Sequence, residues 1–104
     1  MKVFLTIAAA SLFAASGATP ALAQGAGAAT YKAKCQMCHG ADGQPTAAGK
    51  SMKALPLNSP ELKKASTASL IASVTNGKNK MPAYAGKLTD AQIKEVVEYT
   101  RTLQ

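Results

Sequence analysis

Near the C-terminus the apolar positions recur at Ile93, Val96, Val97 and Leu103, with Thr100 on the same stripe and Tyr99 flanking it. That spacing is the period of a helix with one buried face. Thr89 and Gln92 stand at capping-box spacing and Asp90 puts an acid in the first turn, so the pattern predicts a helix opening at Thr89. Leu70, Ile71 and Val74 keep the same period within TASLIASVTNGK, where Gly77 is placed to end the helix. Ser59-Pro60-Glu61 reads as a cap, a proline at the first helical position and an acid, which predicts one short turn. The alanine-rich AGAATYKAKCQMC predicts a helix from about Gly27 to Gln36, with Gly27 and Tyr31 four apart on one face. GADGQPTAAGKSMKALPLN and NKMPAYAGK are rich in Gly, Pro and small polar residues and read as loops. No stretch alternates with period two, so the expected fold is all-α, built of three to four short helices.

The first two dozen residues differ in kind. Lys2 precedes an apolar run from Val3 to about Ala15, and small residues lead on to Ala21-Leu22-Ala23. A basic start, an apolar centre and an A-x-A end are the parts of a secretory signal peptide. The run is shorter than the roughly 20 residues that span a bilayer, and Thr6 and Ser11 interrupt it. The expected organisation is a signal peptide over residues 1–23, cleaved after Ala23, and one periplasmic domain over residues 24–104. No membrane span is expected in the mature chain. A core of that size yields little stability by itself and benefits from a staple. The domain has three tyrosines and neither Trp nor Phe, so a large apolar cofactor would complete its core.

Charge narrows the partners. The chain has 12 basic and 5 acidic residues; without Lys2 the net charge is +6. A basic surface suits nucleic acid, an acidic protein or a membrane face, or is simply solvated. An exported protein rarely meets nucleic acid, and no basic run exceeds Lys63-Lys64. An acidic protein is the expected partner.

Both cysteines and the one histidine fall within five residues, Cys35-Gln36-Met37-Cys38-His39. The pattern C-x-x-C-H is the attachment signature of a c-type haem. Two residues between the cysteines bring both thiols to one side of a helix end, where each can add to a vinyl group of one porphyrin. His39 can then point its imidazole at the iron. A thioredoxin-like dithiol would need a strand before the motif and βαβ alternation around it, and neither is visible. A zinc site needs four ligands, and no second Cys/His pair exists. A disulfide leaves His39 unexplained.

A sixth iron position remains for a methionine, a lysine, a small ligand or nothing. Met37 lies between the cysteines and is poorly directed for it, and Met52 sits in the first loop. Met81 sits on a loop between two helices with Pro82 stiffening the backbone behind it, and is favoured over Met52.

With CQMCHG, the ADG after it, NGKNKMPAY and LTDAQIKEVVEY, the chain resembles a class I c-type cytochrome of the small single-haem bacterial kind. The resemblance covers the whole mature chain. It implies a cytochrome c-like fold around one covalent haem, bound through Cys35 and Cys38, with His39 as proximal and Met81 as distal ligand. It also implies that Gly27 meets Tyr99 where the terminal helices cross. Many members orient the proximal histidine by a proline carbonyl after the motif; Pro45 is near, but that role stays unassigned. Asp42 and Tyr84 are expected to serve loop structure.

The function so implied is single-electron transfer between redox proteins such as an oxidase, reductase or dehydrogenase, by a monomer that is not itself an enzyme. Lys34, Lys50, Lys53 and Lys80 are candidates for steering an acidic partner to the haem edge. The rival readings are a haem-based sensor or small-ligand binder in which Met81 is absent from the iron, and an exported dithiol oxidoreductase.

Overall fold

The computed structural model describes residues 20–104. The signal peptide expected over residues 1–23 lies outside them except for its last four positions. Six helices follow in order: α1 (Pro20–Lys34), α2 (Gln36–His39), α3 (Ala47–Ser51), α4 (Pro60–Lys64), α5 (Thr67–Asn76) and α6 (Asp90–Arg101). Among the described residues the only β pairing is two isolated bridges, Lys78–Met81 and Ala85–Leu88. The all-α expectation holds.

α6 forms where its caps and stripe predict. Thr89 Oγ1 accepts from Gln92 N–H at 3.1 Å, and Gln92 Oε1 accepts from Thr89 N–H at 2.9 Å, completing the capping box. Such a cap contributes about 1 kcal/mol. Ile93, Val96 and Val97 are buried, and Leu103, two residues past the helix end, still packs on the core.

α1 crosses this face. A Cβ on Gly27 would collide with the Glu95 carbonyl and stand 3.0 Å from Tyr99 Cβ, so only glycine lets the two backbones approach this closely. One turn on, Tyr31 is 2% exposed and its ring lies 5.3 Å from that of Tyr99, tilted by 55°. That is a tilted contact at a centroid spacing where two aromatic rings attract. The expected meeting of Gly27 and Tyr99 is what the structure has.

The chain departs from the sequence expectation in three places. α1 starts at Pro20 rather than near Gly27, because proline suits a first helical position and Ala-Leu-Ala continues a helix well. Its contacts through Gly27 and Tyr31 all lie beyond Ala23. α1 also stops at Lys34, and after Cys35 the motif forms its own short turn, α2. The segment read as loop between Gly40 and Asn58 contains α3, which is too short to show a period and is started by Thr46, whose side chain accepts from Gly49 N–H.

One side chain hydrogen-bonds α4 and the start of α5 to the end of α6. Arg101 donates to the carbonyls of Leu62 (3.0 Å) and Ala65 and to Thr67 Oγ1 (3.5 Å). The carbonyls lie at the end of α4, where no helical N–H can reach them.

Candidate functional site

Between α1, α6 and the segments from α3 to α5 lies a cavity of about 490 Å³. Cys35, Cys38, His39 and Met81 all line it, although 46 positions separate the first from the last. Leu57, Leu70, Val74, Val96 and Val97 supply an apolar wall.

The motif side is built from the end of α1. Cys35 N–H donates to Tyr31 O at 2.8 Å, and Cys35 O accepts from His39 N–H at 2.9 Å, so both cysteines and the histidine ride on a nearly continuous helical path. Tyr31 closes this corner by donating its hydroxyl to the Gly40 carbonyl. Burial, with smaller contributions from Cys35, Tyr99 and Asp42, pushes its phenol up to about 12. Thr46 staples α3 to the motif: its hydroxyl donates to Met37 O at 2.6 Å and its N–H to Cys38 O at 3.0 Å. Sequence reasoning missed Thr46; a threonine just before two alanines was the available cap signal.

The Met81 side is a tight turn. Lys78 and Met81 exchange backbone hydrogen bonds at 3.2 and 2.9 Å. Gly77 makes the entry possible with φ at +77°, where a Cβ would lie 2.7 Å from the Met81 carbonyl oxygen. Beyond Pro82, Tyr84 and Ala85 donate to the carbonyls of Val74 and Thr75 at 2.9 and 3.1 Å, returning the loop to α5.

The three thioethers differ. Met81 is half-buried, whereas Met52 is 43% and Met37 76% exposed, although all three border the cavity. Met52 caps the C-terminus of α3, the helix stapled to the motif; Met81 comes from a separate segment.

Burial lowers the His39 pKa below its usual 6.5 and keeps the imidazole neutral. Its Nδ1 is buried without a hydrogen-bond partner, so no carbonyl, that of Pro45 included, takes the orienting role. Cys35 and Cys38 are not joined by a disulfide. Burial and then Cys38 push the Cys35 thiol up to about 11, the reverse of the depressed thiolate that dithiol exchange needs.

These residues fit a c-type haem. Two thiols flank one helical turn, a neutral imidazole that also borders the cavity follows them, a thioether comes from another segment, and apolar side chains fill the wall. A volume of this order is ordinary for a pocket that holds a cofactor.

Of the four lysines expected at the site, Lys34, Lys53 and Lys80 border the cavity and are exposed. Lys50 does not border it, and Lys78, which the sequence reading passed over, does. Asp42 accepts from Gln44 N–H at 3.0 Å and serves its own loop, as expected.

The model of the family described as cytochrome c oxidase, cbb3-type, subunit III matches residues 22–99. Cytochrome c6 of Synechococcus sp. is 37% identical over 103 residues, covering 95% of this chain and 90% of that protein. Cytochrome c6 of Nostoc sp. is 37% identical over 101 residues, covering 94% and 89%. Among solved structures, the KustC0563 c-type cytochrome superposes with a TM-score of 0.71 at 30% identity, over 75% of this chain and 96% of that one. Cytochrome c6 of the diatom Phaeodactylum tricornutum superposes with a TM-score of 0.61 at 35% identity, over 76% and 91%. The chain belongs to this family: it is a small class I c-type cytochrome, an electron carrier rather than an enzyme, with one covalently bound haem c.

Proposed function

We propose that Cys35 and Cys38 hold the haem by thioether bonds, that His39 and Met81 are its axial ligands, and that the exported chain shuttles single electrons between redox proteins. The observation that carries this is the convergence of all four side chains on one apolar cavity. When bound, haem supplies a one-electron Fe(III)/Fe(II) couple, whose potential a Met/His pair raises relative to two imidazoles.

The chain's part is to hold still. The α1–α2 path fixes both thiols and the imidazole, Thr46 pins the motif backbone, and the turn at Gly77 presents Met81. Leu57, Val96 and Val97 keep water from the wall. With His39 and Met81 both holding the iron, no position would be left for a substrate, which favours electron exchange over ligand capture.

Around the cavity mouth the exposed Lys34, Lys53, Lys78 and Lys80 face a single acid, Glu61, whereas Asp90, Glu95 and Glu98 sit on α6. The fitting partner is an oxidase, reductase or dehydrogenase that presents an acidic surface, met by a monomer released into the periplasm after cleavage behind Ala23. Charge complementarity of this kind raises the encounter rate more than the affinity.

The test is the visible spectrum of the ferrous protein, exported with its own leader in a host that attaches haem, with and without carbon monoxide. A sharp low-spin spectrum that the gas leaves alone is expected. A shift on adding the gas would overturn the carrier reading in favour of small-ligand binding.

A further inference from the structure

The loop carrying Met81 is hydrogen-bonded to the end of α1, next to Cys35, through one side chain. Tyr84 follows Met81 by three residues. Its hydroxyl donates to the Lys34 carbonyl at 3.1 Å, across fifty positions of sequence. Lys34 is the last residue of α1 and immediately precedes Cys35. The same ring borders the cavity, and Lys87 Nζ stands 5.8 Å from its centroid, within cation–π range. The Tyr84 backbone is anchored as well: its N–H donates to Val74 O, and its carbonyl accepts from Lys87 and Leu88 N–H, both at 3.0 Å.

The turn before it has no such anchor. Lys78 and Met81 bond only to each other, and no hydrogen bond among the described residues joins positions 78–83 to another segment. Pro82 transmits what Tyr84 holds, because its fixed φ leaves little slack between the two.

We propose that Tyr84 is a positioning residue for the Met81 thioether, its hydroxyl pinning the loop to the end of α1 so that the face closed by Met81 stays closed. This rests on the reading of Met81 as an axial ligand. Phenylalanine at position 84 would keep the ring and lose only the bond. A net hydrogen bond of ordinary strength corresponds to roughly two- to tenfold in the ratio of closed to open loop. An exogenous ligand that binds only the open form gains affinity by the same factor.

The experiment titrates ferric holoprotein with imidazole, read by visible absorption, in wild type, Tyr84→Phe, Met81→Ala and Gly27→Ala. Gly27→Ala weakens the fold at the α1–α6 crossing, two turns from Lys34, and controls for general loosening. The expected result is much tighter imidazole binding in Met81→Ala, roughly two- to tenfold tighter binding in Tyr84→Phe, and wild-type affinity in Gly27→Ala. If Met81→Ala tightens binding but Tyr84→Phe matches wild type, Tyr84 does not position the loop. Equal tightening in Gly27→Ala and Tyr84→Phe would reduce the effect to stability and overturn the proposal. If Met81→Ala itself binds imidazole no better than wild type, the ligation reading falls and takes this inference with it.

Discussion

Alanine at position 27 sets two opposed effects against each other. Within a helix, glycine to alanine gains about 1 kcal/mol from backbone entropy and propensity. Against this, the new Cβ would stand 3.0 Å from the Glu95 carbonyl carbon and 3.0 Å from Tyr99 Cβ, and closer still to the Glu95 oxygen. The Glu95 carbonyl belongs to the α6 backbone and cannot rotate away. Relief requires the two helices to separate, which loosens the Tyr31–Tyr99 pair and the packing of Tyr31 on Val96. Overpacking costs about 1–3 kcal/mol, and backbone against backbone belongs at the upper end. The net loss is therefore about 2 kcal/mol, or a fall of about 10 °C in Tm for a domain this small. Gly25→Ala is the control, in the same helix with no atom within 4 Å of its Cβ. It meets no clash, and two residues behind the proposed cleavage site it sits at a fraying helix end, so it should leave Tm close to that of wild type. Thermal unfolding followed by far-UV circular dichroism, in one redox state, reads both. A Gly27→Ala protein as stable as wild type would refute the claim that this crossing tolerates only glycine.

Other perturbations test other parts of the structure. Arg101→Met strips the end of α4 of its donor and should cost about 1.5–3 kcal/mol by urea denaturation; Arg101→Lys should not restore it, because an ammonium cannot span the carbonyls of Leu62 and Ala65 as a guanidinium does. An unchanged midpoint would show those carbonyls content with water. Charge reversal at Lys53 or Lys80 should slow reaction with an acidic redox partner at low salt far more than Lys50→Glu, which lies off the cavity rim; equal effects at all three positions would remove the rim from the account. With His39 as the proposed iron ligand, protons compete for its imidazole wherever unfolding releases it from the metal, so the urea midpoint of the holoprotein should fall between about pH 7.5 and pH 5; a midpoint that rises on acidification contradicts it.

The sequence was most legible where the signal is complete within one or two turns. Thr89 and Gln92 cap each other across three residues, so the start of α6 could be read directly, and so could the Ser59-Pro60 entry to α4. Less legible were short elements whose partners are remote. α3 has five residues and no apolar stripe, and it exists because Thr46 bonds both to its first turn and to the motif backbone. Tyr84 could be read only as loop structure, since the acceptor of its hydroxyl lies fifty residues away.

The sequence by itself determined which groups stand together locally: two thiols and an imidazole, Cys35, Cys38 and His39, follow one another along one helical turn, a spacing that no distant residue alters. It also determined the helical period of α5 and α6 and the end of α5 at Gly77, because caps and stripes act over four residues. Only the tertiary structure decided which side chains share the cavity. It placed Lys78 on the rim and Lys50 off it, and left Met52 more exposed than Met81. Those outcomes depend on how closely segments far apart in the chain approach, as α1 and α6 do over Gly27. Periodicity states which face of a helix is buried; the packing of backbones sets what that face meets.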